Sequence, residues 1–344
     1  MQLIRQYFVE LGREGFVRWN QFWFTPADPA ALGLIRILAG AMILYSHAVW
    51  TLDLKDFFGP AAWLDRDLLA LMNRTGWQLS YFWYVPSAVL PAVHIGGLII
   101  CLLFMIGLWT RWTSVLTAMV TLSYAHRVPE ALYGLDQVNG FLILYLTVGP
   151  SGACYSVDRW ISNRSSKTKT TCIGSSTSIS ANIATRLIQL QLCVMYLFAG
   201  LSKLQGEVWW DGTAFWGAVA NLEYQSVDLT WLARFPLLVN VLTHVTVVWE
   251  ISYIVLVWGR LSRPVVLSIA VVLHLGIGIC LGMMTFGLAA LIANLAFVSP
   301  KIIRMALDRS HSVQPPNDNG HAPNDNGHAL TGPKWKQQSQ RVRR

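Results

Sequence analysis

A lysine stands where the surrounding chain is oily. Lys203 closes the stretch Tyr196-Leu197-Phe198-Ala199-Gly200-Leu201-Ser202-Lys203-Leu204, with Trp209, Trp210, Asp211 and Gly212 just behind it. On a helix Lys203 shares its face with Gly200, Ala199 and Tyr196, three, four and seven positions back. Two small residues beside an amine leave a notch, with a phenol one turn further along. A notch with an amine and a phenol could bind a flat, ionisable ring. The other reading is that Lys203 snorkels to a membrane interface, with Trp209 and Trp210 in an aromatic belt. The residues alone favour neither, because an ionisable group inside a membrane segment is a functional candidate and helix-end lysines are common.

Other polar groups are placed by depth, at about 1.5 Å per helical residue. His47, His94, His126, His244 and His274 all fall in the outer half of their expected spans, as does Lys203. That shared depth suggests a polar pocket opening outward, with His126 and His244 among its binding residues. A single histidine in a bundle is more simply a core hydrogen-bonding group. No two lie at i and i+4, so no H-x-x-x-H ligand pair is present and no metal is expected. His274 is followed by Gly276, Gly278 and Gly282, which either pack helices closely or open room for a ligand beside the imidazole. Arg36 and Glu250 lie about 10–12 Å from the inner ends of their spans. A lone charge there is costly, so the two are expected to form a buried ion pair; the alternative is that Arg36 snorkels to headgroups.

Y-L-F-A-G-L-S-K-L followed by W-W-D-G resembles the signature segment of the vitamin K-dependent gamma-carboxylases and their bacterial relatives, the horizontally transferred transmembrane domain (HTTM) proteins. The likeness runs over roughly residues 26–300, through L-G-L-I-R-I-L-A-G, Y-S-V-D and H-L-G-I-G-I-C-L-G-M-M-T-F. It implies that Lys203 is the base that ionises a reduced naphthoquinone and that His274 is a functional histidine. Oxygen then turns the ionised quinol into a stronger base, which takes a proton from a substrate before CO2 adds. Tyr196, Ala199 and Gly200 become the ring-binding face. His126 matches the family's other histidine only in part, because H-R-V-P-E-A-L-Y-G spaces it differently from its Y-G. The family's carboxylases continue into a long soluble region, whereas only about 45 polar residues follow Pro300 here. The expectation is a quinol-dependent oxygenase- or carboxylase-like protein acting on an unidentified substrate. A quinone- or lipid-binding membrane subunit without turnover is the alternative, and a transporter comes third.

These residues need an apolar scaffold. The 344 residues are 54% hydrophobic and only 13% charged, too oily for an ordinary soluble domain. Several apolar runs reach or approach the roughly 20 residues that span a bilayer. The expected architecture is an all-α integral membrane protein, a bundle of about eight transmembrane helices: 28–50, 86–108 with a kink at Pro91, 112–126, 131–149, 186–204, 236–258, 264–282 and 284–299. Residues 1–25 place Leu3, Ile4, Tyr7, Phe8 and Leu11 at helical spacing among charges, the pattern of an amphipathic helix lying at the interface. Residues 26–300 form the HTTM-like transmembrane domain. A short helical piece is expected around Leu68 to Met72, and a flexible Ser/Thr-rich loop at about 161–183. The tail, 301–344, repeats P-N-D-N-G-H-A in tandem and reads as disordered.

Five cysteines without C-x-x-C spacing give no disulfide framework and no metal site. The net charge of +8 reflects basic loops rather than a nucleic-acid surface, since 19 Lys and Arg fall in the inner segments and 5 in the outer ones. Both termini are therefore expected in the cytoplasm, and the bacterial branch of the resemblance implies a bacterial cytoplasmic membrane.

Overall fold

The computed structural model describes residues 2–64, 68, 71, 79–165 and 177–308. Within them the chain is helical, and the extended pairing is a single isolated antiparallel bridge between Ala27 and Ser178. The helices are α1 (Gln2–Phe24), α2 (Ala30–Val49), α3 (Leu54–Phe58), α4 (Leu90–Ile106), α5 (Thr110–Arg127), α6 (Gly134–Val148) and α7 (Val157–Ser165). They are followed by α8 (Ile179–Lys203), α9 (Glu207–Trp210), α10 (Ala214–Val219), α11 (Pro236–Leu256), α12 (Ser262–Cys280), α13 (Met284–Asn294) and α14 (Pro300–Asp308).

A helix stands at each of the eight expected positions, but the eight are not equivalent. Only α2, α8, α11 and α12 are long and apolar enough to cross a bilayer on their own. α4 has 17 residues, α6 has 15 and α13 has 11, each short of a full crossing. α5 is 18 residues long but buries Thr113, Ser114, Thr117, Thr121 and Ser123 along its length. A further crossing arises only if α13 and α14, bent by 114° at Ser299, count as one broken span.

Helix boundaries follow from local chemistry. The Asp28 carboxylate accepts the Ala30 amide at 2.9 Å, which starts α2 where the Asp-Pro pair predicts. Pro91 does not kink its helix: α4 begins at Leu90, so the proline sits in the first turn, where no amide is needed. Gly107, at φ 75°, ends α4 in the left-handed conformation that glycine tolerates. α8 starts at Ile179, seven residues before the expected Arg186, because Ser178 Oγ caps the Ala181 amide at 3.1 Å. Asn182 then anchors α1 by donating to the Phe22 and Trp23 carbonyls at 2.7 and 2.9 Å. The first part of the tail is ordered too, as α14. The tandem repeat, residues 166–176 and most of the Leu68–Met72 segment lie outside the described residues.

Lipid is as apolar as leucine, so close packing and polar contacts bind such helices to one another. The core is a contiguous set that includes Leu32, Ile35, Ile43, Phe104, Leu142 and Ile188. α2 passes α4 so closely that a Cβ on Gly40 would lie 2.9 Å from the Met105 Cα. One end of the bundle is tied by charge. Arg36, fully buried, donates from Nη1 to the Ser151 carbonyl at 2.7 Å and from Nη2 to that of Tyr155 at 2.5 Å. Asp158 accepts from the Trp109 amide and from the Thr110 amide and hydroxyl, each at 2.7 Å, and so opens α5. Arg304 holds Asp28 through two hydrogen bonds of 2.8 and 2.7 Å, which docks α14 under α2. Burial pushes the Asp28 carboxyl up, but the Arg304 hydrogen bonds, the Ala30 amide and the Arg304 charge outweigh it, and its pKa ends below its usual value.

Candidate functional site

α8 carries Tyr196, Gly200 and Lys203 along one face, and that face packs on α11. Lys203 Nζ lies 2.9 Å from Oε1 and 2.8 Å from Oε2 of Glu250. The Oε1 contact has hydrogen-bond geometry, and Oε2, which is buried, is held by the charge of the same ammonium. Nζ also lies 3.5 Å from the Ala199 carbonyl and 5.2 Å from the centre of the Trp209 ring. The pair is partly shielded, with 22% of the Lys203 side chain and 12% of the Glu250 side chain exposed.

This pairing corrects two expectations. Glu250 is not the partner of Arg36, whose hydrogen bonds go to carbonyls of the turn after α6. Depth along a helix placed the two charges level but did not say which face each occupied, and Glu250 faces α8. The notch beside Lys203 is not open on that side either. A Cβ on Gly200 would lie 2.7 Å from Ile251 Cγ1 and 3.1 Å from Glu250 Cβ, so the glycine lets α11 come close. Lys203 is also deeper than a helix-end position suggests. It meets α11 about 21 Å along from Pro236, while the connector after it turns back beside the first turns of α11. There Asn240 Nδ2 donates to the Asp211 carbonyl at 3.1 Å, and Thr243 Oγ1 donates to that of Gly212 at 2.9 Å.

The structure brings Tyr196 and His274 together as expected. His274 Nδ1 lies 2.8 Å from the Ala270 carbonyl, which only accepts, so Nδ1 carries the proton and Nε2 is free to accept. Tyr196 Oη, 3.2 Å away, then donates to Nε2. The direction of the remaining bonds follows. Asn294 Nδ2 donates to Tyr196 Oη at 3.1 Å and to the Ala290 carbonyl at 2.8 Å, and Tyr253 Oη donates to Asn294 Oδ1 at 2.7 Å. Tyr253, Asn294, Tyr196 and His274 thus form one buried chain in which every hydrogen bond has a fixed direction. The Tyr196 ring lies 4.4 Å from that of Tyr253 and 4.9 Å from that of Trp249, and Glu250 follows Trp249 directly.

Asn294, Tyr253 and Trp249 are the members that sequence reading missed. An asparagine inside the apolar L-I-A-N-L-A run was the available signal, since a polar side chain in such a helix looks for partners. The other histidines do not join this group. His244 Nδ1 donates to the Asn240 carbonyl at 2.9 Å, a contact within its own helix. His126 Nδ1 accepts the Leu79 amide at 3.1 Å. His94 bridges the hydroxyls of Thr51 and Tyr124, and His47 packs edge-on against Tyr124 with ring centres 4.4 Å apart. A cavity of about 390 Å³ opens beside Thr51 and His94, lined also by Asp53, Lys55, Asp56 and Pro91. Among the described residues no three of His, Cys, Asp and Glu are grouped to hold a metal ion.

Compared with protein-family models, with curated proteins and with solved structures, the chain finds no match in any of the three.

Proposed function

We propose that this is a membrane-embedded, quinol-dependent oxygenase- or carboxylase-like protein whose proton acceptor is the Lys203–Glu250 pair. The observation that carries the reading is a partly shielded lysine–carboxylate pair set beside a buried Tyr–His–Asn–Tyr chain. A neutral ion pair tolerates this depth better than a single charge. A proton taken from a bound hydroxyl is shared by the pair rather than held by one partner alone. With that proton the pair carries one net positive charge and stabilises the anion it has produced.

A phenolic hydroxyl would meet the pair at Lys203, the more exposed partner, since Glu250 Oε2 is itself buried. The residues do not fit a ring over Gly200, where α11 fills the space. A ring would therefore lie on the Trp209 side of Lys203, with the aromatic stack of Trp249 and Tyr196 behind the pair. The family likeness of the Y-L-F-A-G-L-S-K-L segment supports the same ligand class. When bound, a reduced naphthoquinone supplies, with O2, the strong base that precedes CO2 addition. His274 positions Tyr196, because its own proton is committed to Ala270. In this reading α1 lies at the interface, and the chain crosses the membrane eight times with both termini inside, the short helices crossing as packed members of the bundle.

The closed Gly200 face is the observation that favours the second reading, a quinone- or lipid-binding subunit without turnover. Mass spectrometry of the protein purified in mild detergent tests both. A copurifying naphthoquinone is expected, and a preparation carrying only bulk phospholipid would count against both. Quinol-dependent oxygen uptake then separates enzyme from binder.

A further inference from the structure

At the end of the bundle where α1 meets α8, two arginines gather at Trp258 with no carboxylate partner among the described residues. Arg186 Nη1 donates to Gln189 Oε1 at 3.0 Å, and its charge sits 4.4 Å from the centre of the Phe22 ring and 5.6 Å from that of Trp258. Arg263, on the first turn of α12, donates from Nε to the Val257 carbonyl at 3.0 Å and from Nη2 to that of Trp258 at 3.3 Å. Both arginines therefore meet Trp258, Arg186 at its ring and Arg263 at its carbonyl. The ion pairs among the described residues are Arg18–Glu14, Lys203–Glu250 and Arg304–Asp28, so neither arginine belongs to one. Among the described residues every partner of these two arginines is neutral, and Nη2 of Arg186 and Nη1 of Arg263 make no hydrogen bond.

We propose that these two arginines hold the phosphate of an anionic phospholipid, between the end of α1, the first turns of α8 and the α11–α12 turn. Two like charges side by side are unfavourable until an anion is shared, and guanidinium is suited to bidentate contact with phosphate oxygens. A cationic ligand is repelled, and a neutral headgroup offers no charge to offset. The surroundings favour a lipid over a free ion. Leu261 and Val265, beside Arg263, are 90% and 60% exposed, and Phe24 is exposed at the end of α1, which gives acyl chains an apolar surface next to the phosphate site. Basic pockets between membrane helices are a recurrent form of lipid-headgroup recognition.

Native mass spectrometry of the full-length protein in mild detergent tests this, with phosphatidylglycerol and phosphatidylcholine of identical acyl chains as probes. One phosphatidylglycerol should be retained with a roughly 30-fold preference, the ratio that two basic residues give at an anionic surface. Arg186→Gln with Arg263→Gln should abolish the preference, whereas Arg186→Lys with Arg263→Lys should keep most of it. Equal retention of the two lipids by the unmodified protein would overturn the proposal without recourse to any variant. So would an undiminished preference in the double Gln variant. Inorganic phosphate at millimolar concentration should leave the lipid bound, and displacement would overturn the lipid assignment in favour of a free-phosphate site.

Discussion

Replacing Glu250 by Gln removes the carboxylate that Lys203 holds at 2.8 and 2.9 Å. Taking one partner from a buried ion pair costs about 3–5 kcal/mol, because the remaining charge is left uncompensated. Here the Lys203 side chain keeps 22% of its exposure and has the Trp209 ring at 5.2 Å, which places Glu250→Gln near the lower end, about 3 kcal/mol. Lys203→Met strands the more enclosed carboxylate and should cost about 4 kcal/mol. The double variant leaves two neutral groups of similar size and should sit within about 1 kcal/mol of the parent, since such replacements are often neutral. The coupling would then be large, several times the roughly 0.5 kcal/mol within which independent sites add. Denaturant unfolding in mild detergent, followed by tryptophan fluorescence, measures each corner of the cycle. Arg36→Met combined with Glu250→Gln is the control, and those two should add. Additivity for Lys203 and Glu250, or coupling for Arg36 and Glu250, would refute the assignment of the pair.

Further expectations rest on other contacts. Asp28 has its pKa lowered in the folded protein, so the stability it contributes is present above the ordinary carboxylate range and is lost as pH falls through its depressed folded value. The protection of the α14 amides, measured against the intrinsic exchange rate at each pH, should therefore be high at pH 7 and fall in acid, and Asp28→Asn should lower it at pH 7. Tyr196→Phe strands both Asn294 Nδ2 and His274 Nε2 from one of their bonds and should cost about 2–3 kcal/mol. Tyr253→Phe strands a single acceptor, Asn294 Oδ1, and should cost less in the same unfolding assay. Cysteine labelling after residues 170 and 310 should occur only from the cytoplasmic side, and after residue 220 only from outside; external labelling at 170 or 310 would break the eight-span topology.

How much was legible can be judged from particular residues. The apolar runs and the Asp28-Pro29 start placed α2, and a helix was expected at each of the eight positions. The sequence also brought Tyr196 and His274 into one site with Lys203. Misplacements came from treating each helix alone. Residues 179–183 read as loop because Ser180 and Asn182 look polar, yet Asn182 is spent on α1, and Thr185 just beyond them bonds within its own helix. Pro91 looks like a kink when the helix is started at residue 86, four residues before its true start at Leu90. Arg36 and Glu250 were matched by depth, and depth does not fix the facing side. The small residues beside Lys203 have two uses, ligand access and helix contact, and sequence does not distinguish a notch that is open from one filled by Ile251.

The most direct test of the Lys203–Glu250 assignment is quinol-dependent oxygen uptake by the purified protein, compared with that of Lys203→Arg. Arginine keeps the positive charge and can still pair with Glu250, so the fold and the melting temperature should stay near those of the parent. It does not give up a proton near neutral pH, so the form of the pair in which a neutral amine at position 203 takes the quinol proton, with Glu250 holding the one it released, is no longer accessible. Loss of a general base lowers the rate by roughly 10²–10⁴-fold. A fall of that size is expected with the protein still folded. Full uptake by Lys203→Arg would show that Lys203 serves only as the structural partner of Glu250 and that the base lies elsewhere.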